Sequence, residues 1–95
     1  MEMIYNTDTE TLYEEEVLVS EEAEKALILF NDDVNTFDHV IQALIEVCEH
    51  ELEQAEQCTI IIHYKGKCDV KHGSTEDLIP RMKELHRRGL SAEIQ

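Results

Sequence analysis

Glu51-Leu52-Glu53-Gln54-Ala55-Glu56-Gln57-Cys58-Thr59-Ile60-Ile61-Ile62-His63-Tyr64-Lys65-Gly66 carries two signals that disagree. Thr59-Ile60-Ile61-Ile62 taken alone reads as a strand, because β-branched side chains suit a pleated, half-buried surface. Taken with its flanks, the stretch places Leu52, Ala55, Thr59, Ile62, His63 and Gly66 at helical spacing, on one face. Gly66 then supplies the left-handed residue that stops a helix. We favour the helix, with the strand as the alternative.

Working outward, the upstream run Ala26-Leu27-Ile28-Leu29-Phe30 is apolar and is stopped by Asn31-Asp32-Asp33. A short run bounded by turn formers suits a buried strand. Phe37, Val40, Ile41, Leu44, Val47 and Cys48 follow at i, i+3, i+4, i+7, one face of a helix. Asn35 is its expected N-cap, and Asp38 in its first turn favours the dipole. Downstream, residues 67–72 read as a strand with Cys68 and Val70 on one side. Ser74 should cap a helix that starts with Glu76 and Asp77 and turns Leu78, Met82 and Leu85 to the core. Arg87 and Arg88 close it and Gly89 ends it. Pro80 should kink that helix or weaken its first turn, since it removes a hydrogen bond. Leu90, Ala92 and Ile94 alternate as a closing strand. The expected fold is α+β: a three-stranded antiparallel sheet packed against three helices, in the order β-α-α-β-α-β.

The chain has 95 residues and a formal net charge of −14, with 42% apolar side chains. That supports one core and one domain. So acidic a chain is a poor match for nucleic acid or an anionic membrane, since phosphate binding needs clustered Lys and Arg. No apolar run approaches the ~18–20 residues of a membrane span, and the N-terminus is acidic where a secretory signal is basic. A cytoplasmic protein is expected. Cys48, Cys58 and Cys68 are odd in number and lack CxxC spacing, which fits reduced thiols. No pair among His39, His50, His63, His72 and His86 has zinc-site spacing, so no metal or cofactor is expected. Residues 1–24 hold nine acidic side chains and no basic one, including Glu14-Glu15-Glu16. They offer too little apolar surface to offset ordering entropy, and are expected to form a disordered acidic extension before a domain over 25–95.

Asn31-Asp32-Asp33 has two readings. Polar residues at a strand end make turns, because Asx side chains bond nearby backbone; alternatively they form a site. His63 is likewise either a satisfied, half-buried histidine or a functional one. Leu29-Phe30-Asn31-Asp32-Asp33, the Val40-Ile41 helix face and Ile62-His63-Tyr64-Lys65-Gly66-Lys67 together resemble the ClpS family of adaptor proteins over residues 26–94. That family serves the Clp unfoldase–protease and recognises N-degrons. The resemblance implies the same β-α-α-β-α-β order, and so a helix over 51–66, and an unstructured N-terminal extension.

It also implies a site. Asn31, Asp32 and His63 would accept hydrogen bonds from a peptide's free α-amine, with Asp33 holding the loop or adding negative potential. Asn35, Phe37, Val40, Thr59, Ile62 and Leu90 would line a pocket for the first side chain. Phe37 stands where the family usually has Met, Thr59 replaces a larger apolar residue, and the link before Leu90 is shorter. Glu76 and Arg81 match positions through which the family docks on the N-terminal domain of a Clp AAA+ ATPase. The function implied is a non-enzymatic adaptor that delivers proteins with a bulky N-terminal residue for degradation. A stalk-type recruiter of translation factors, which shares this fold, is the alternative; it lacks the Asn-Asp-Asp and His pair and would have an Ala-rich dimerisation segment upstream. An enzyme using Cys and His is a third reading, but no nucleophile is paired with a base and an orienting group.

Overall fold

The computed structural model describes residues 23–95. The expected acidic extension therefore lies outside the described residues, except for Ala23 and Glu24, which are exposed. Six elements follow: β1 (Lys25–Phe30), α1 (Phe37–Cys48), α2 (Leu52–Lys65), β2 (Lys67–Gly73), α3 (Thr75–Arg87) and β3 (Ser91–Ile94). The order is the expected β-α-α-β-α-β.

β1 is the central strand, antiparallel to β2 on one side and β3 on the other. Period-two alternation turns Leu27 and Leu29 toward the helices, where they are 0% and 1% exposed. They meet Ala43, Leu44 and Val47 of α1, Ala55 and Ile62 of α2, and Leu78 and Leu85 of α3 in one core. β2 carries one irregularity: Leu27 faces Lys71 but Ile28 faces Asp69, so Val70 is an extra residue in the ladder. Its side chain is buried, and its carbonyl accepts a 2.6 Å hydrogen bond from His50 Nε2–H.

The disputed stretch is a helix. Ala55, Cys58, Thr59 and Ile62 are its buried face, and Gly66 ends it at φ 96° with its N–H on the Ile62 carbonyl. Tertiary burial along that stripe overrides the strand preference of the isoleucine run. Three members of the expected face, Leu52, His63 and the terminal Gly66, are exposed instead. α1 also departs in detail. Its N-cap is Thr36, whose Oγ1 accepts from His39 N–H at 3.1 Å, because the Asn35 side chain is drawn elsewhere. Phe37 lies at the start of α1 and is 46% exposed, so the core face begins one turn later. Ser74 caps α3 as expected, accepting from Asp77 N–H at 3.1 Å. α3 continues through Pro80 as one helix. Proline removes one hydrogen bond, but burial of Leu78 and Leu85 on either side holds the helix together.

Candidate functional site

The end of β1 is fixed to the end of α2. Asn31 N–H donates to the Gly66 carbonyl at 2.9 Å. This brings the loop over residues 31–35 beside the last turn of α2, which carries His63. A cavity of about 310 Å³ opens there, between this loop, the first turn of α1, the C-terminal half of α2 and Leu90. It is lined by Asn31, Asp32, Asp33, Asn35, Phe37, Val40, Thr59, Ile62, His63 and Leu90, all the residues singled out from the sequence, and by Leu29, Phe30 and Thr36. Leu29 and Phe30 close the strand, and Thr36 sits immediately before the helix; the adjoining β1 run and the helix start were the signals that pointed to them. Glu76 and Arg81 are not part of the cavity lining.

The polar residues of this site behave differently from one another. Asp32 is committed to the loop: Oδ1 accepts from Val34 N–H and Asn35 N–H, and Oδ2 from Asn35 Nδ2, each at 2.8 Å. The Asn35 N–H is the main reason its carboxyl is held below the ordinary 3.8; slight burial opposes it, while the Asn35 amide and Val34 N–H add to it. Holding the loop, expected of Asp33, thus falls to Asp32. Among the described residues the carboxylate of Asp33 and the side-chain amide of Asn31 have no hydrogen-bond partner, and both residues are exposed.

Asn35 likewise is not an N-cap. Its Nδ2 donates to Asp32 and, at 3.0 Å, to the Gly89 carbonyl between α3 and β3. Thr59 is buried, but its Oγ1 donates to the Ala55 carbonyl at 2.8 Å, so its hydroxyl proton serves its own helix rather than the cavity. Ile62 and Leu90, 3% and 4% exposed, form the apolar depth with half-buried Val40.

His63 separates from the other histidines. His39, His50 and His86 each hold a backbone carbonyl through Nε2–H, at 2.9, 2.6 and 2.8 Å. His72 sits 3.5 Å from Asp69. His63 is exposed, with Phe37 edge-on at 5.3 Å between ring centroids and Tyr64 at 5.0 Å. Its ring nitrogens face no protein acceptor or donor among the described residues.

Elsewhere, burial pushes the Cys48 thiol up to about 11. Burial, reinforced by the neighbouring Cys58 thiol, pushes Cys68 up to about 12. Neither is a thiolate at neutral pH, so neither is a ready nucleophile. Among the described residues no group of three or more His, Cys, Asp or Glu could hold a metal, and no helix is long and apolar enough to cross a membrane. Arg81 is tied down: Nη1 donates to the Val47 carbonyl at 2.7 Å, with Asp77 and Glu49 at 3.6 and 4.0 Å from Nη2. Glu76, on the first turn of α3, is exposed.

Fold and cavity define a small α+β module with a pocket that is polar at its mouth and apolar in its depth. The family model described as ATP-dependent Clp protease adaptor protein ClpS matches residues 20–93, and the chain belongs to the ClpS family. An ATP-dependent Clp protease adapter protein ClpS of Campylobacter jejuni is 41% identical over 58 residues, covering 61% of this chain and 58% of that protein. The protein of that name from Wolinella succinogenes is 31% identical over 61 residues, covering 64% and 60%. These alignments span about three fifths of the length of the curated relatives. Agrobacterium tumefaciens ClpS2, whose structure is described as bound to L-phenylalaninamide, shares the fold with a TM-score of 0.72 at 18% identity, over 76% of this chain and 94% of that one.

Proposed function

We propose that this chain is a non-enzymatic adaptor: it binds proteins whose N-terminal residue is large and apolar, and presents them to a Clp ATPase–protease. The observation that carries this reading is the pairing of uncommitted polar groups at the cavity mouth with a buried apolar wall behind them. A free α-amine has a pKa near ~8 and is cationic at neutral pH, with three protons to place. The Asn31 side-chain oxygen, the Asp33 carboxylate and a ring nitrogen of His63 are the acceptors we assign to it, from residues that line the same cavity. Asp32 adds its charge and its one remaining acceptor position, while its main task is to hold the loop. The first side chain enters between Val40, Thr59, Ile62 and Leu90, with Phe37 at the rim.

Both halves are needed. Burying a Leu or Phe side chain gives roughly 1.5–3 kcal/mol, and a hydrogen bond to a charged group nets roughly the same. Micromolar binding requires about 8 kcal/mol, so neither half suffices alone. The family supports a Clp ATPase as the partner, and the exposed Glu76 with the outer edge of Arg81 is the expected docking face. The chain's charge of −14 fits a cytoplasmic protein that avoids nucleic acid and anionic membranes. An anisotropy titration with a Leu- or Phe-initiated peptide against its N-acetylated twin tests the reading. The free amine is expected to bind at least about tenfold more tightly, since acetylation removes the charged donor; equal affinities would remove it.

A further inference from the structure

Leu90 of the apolar wall and the loop over residues 31–35 come from distant parts of the chain, brought together by the pairing of Phe30 with Ser91 and by side chains that reach the turn before Leu90. Asn35 is bonded to Asp32 at two points, its backbone N–H to Oδ1 and its Nδ2 to Oδ2, in a turn that Val34 N–H also closes on Oδ1. The second proton of its amide goes to the Gly89 carbonyl, 54 residues away in sequence. Gly89 sits at φ 84°, a left-handed position that glycine adopts freely, and the residue after it is Leu90, the cavity wall.

One turn further along α1, His39 Nε2–H holds the preceding carbonyl, that of Arg88, at 2.9 Å. Arg88 is the C-cap of α3, where carbonyls lack partners within the helix. The two bonds therefore satisfy acceptors that would otherwise need water. Among the described residues, Asn35 is the only side chain that reaches the Gly89 carbonyl.

We propose that Asn35 is a positioning residue for side-chain selection: it fixes Leu90 against the loop that reads the α-amine, so the first side chain is measured against a wall that cannot drift. The inference rests on the adaptor reading above and adds to it the group that sets the pocket's selectivity. Asn35 itself need not touch the ligand's side chain. Its part is to keep a glycine-hinged turn at fixed distance from the amine site.

The test is a split between two selectivities. Asn35→Ser shortens the side chain so that it still reaches Asp32 but not Gly89; Asn35→Ala removes both bonds. Free-amine peptides beginning with Leu and with Ala, and the acetylated Leu peptide, are titrated against the parent and both variants. For Asn35→Ser, preference for Leu over Ala is expected to fall about fivefold, the worth of a neutral hydrogen bond, while preference for the free amine over the acetylated peptide is retained. Asn35→Ala should lose both, because the loop loosens as well. Ser74→Ala, which removes the cap of α3 far from the cavity, serves as the control. It should lower the thermal midpoint and leave both preferences intact.

An unchanged Leu-to-Ala preference in Asn35→Ser would overturn the inference, as would an equal loss in Ser74→Ala. A parent protein that bound free and acetylated peptides alike would instead remove the adaptor reading, and this inference with it.

Discussion

The two ends of this small domain use the same kinds of side chain for opposite purposes. At the end where α1 stops and α2 starts, the polar side chains hold the fold: His50 bonds the Val70 carbonyl, Arg81 the Val47 carbonyl, and Lys71 pairs with Glu49. His50 Nδ1 and Arg81 Nε there find no partner among the described residues. At the other end, Asn31, Asp33 and His63 stand around a cavity with no partner among the described residues. A histidine that closes a hydrogen bond inside a core stabilises a fold; one left open at a mouth is available to a ligand. The difference is legible only in hydrogen bonds, since residue type and approximate exposure do not make it.

If the comparison is right, substitutions at the two ends separate stability from binding. The largest effect is expected at the committed end. His50→Ala removes a 5% exposed side chain and leaves the Val70 carbonyl without its donor, and should cost about 3 kcal/mol of stability in urea unfolding. The same variant, where folded, should bind a Leu-initiated peptide as the parent does. A change in affinity without a change in stability would break the contrast.

At the open end the pattern reverses. Asp33→Ala and His63→Ala should each weaken peptide binding by about 1.5 kcal/mol or more, roughly tenfold, because a charged donor loses an acceptor. Neither should move the urea midpoint, as neither side chain has a hydrogen-bond partner among the described residues. Loss of stability in His63→Ala would mean that its contacts with Phe37 and Tyr64 matter to the fold.

Phe37 sharpens the comparison within the open end. Its ring stands edge-on to His63 at the rim, where it crowds the Cβ of an entering side chain. Leu-initiated peptides are expected to bind about tenfold better than Ile-initiated ones, since a branched Cβ meets the ring and has few rotamers to escape it. Phe37→Ala should shrink that ratio several-fold in paired titrations, even as overall affinity falls with lost contact. An unchanged ratio would take the ring out of selection.

The smallest effect concerns Asp32, which belongs to the open end by position and to the committed end by behaviour. Its carboxyl is depressed below 3.8 in the folded protein, mainly by the Asn35 N–H. A depressed acid stabilises the fold fully above its unfolded value and loses that contribution as pH falls through the folded one. Loop order should therefore persist to about pH 4 and decline below it. Amide exchange at Val34 and Asn35 across that range, compared with Asp32→Ala, reads it directly. Exchange that is already fast at neutral pH in the parent would show that Asp32 does not hold the loop.

Sequence reading reached the element order and every residue singled out for the cavity, but not how those residues divide their work. The helix over residues 52–65 was legible because burial at Ala55, Cys58, Thr59 and Ile62 imposes a period that a local isoleucine run cannot cancel. The cap of α1 was missed by one residue. Asn35 and Thr36 are both good caps, and the Asp32 carboxylate together with the distant Gly89 carbonyl takes Asn35 away. That Asp32 bonds the loop was illegible for a similar reason. Asp32 and Asp33 are chemically identical neighbours, and only the loop's conformation aims one at backbone N–H groups and the other outward.

The place of β1 in the sheet has a consequence for the order in which the molecule can be made. β1 is near the start of the described chain, yet it is the middle strand, and its pairing with β3 joins Leu27 to Ile94 and Phe30 to Ser91. A chain emerging from the ribosome can therefore dock α1 and α2 early, but cannot close the sheet until residues 91–94 are free of the exit tunnel. Such long-range pairing slows folding and exposes an unpaired strand edge meanwhile. Leu90, the cavity wall, arrives with that last strand. The pocket is thus among the last features to exist, and a half-made molecule cannot capture a ligand.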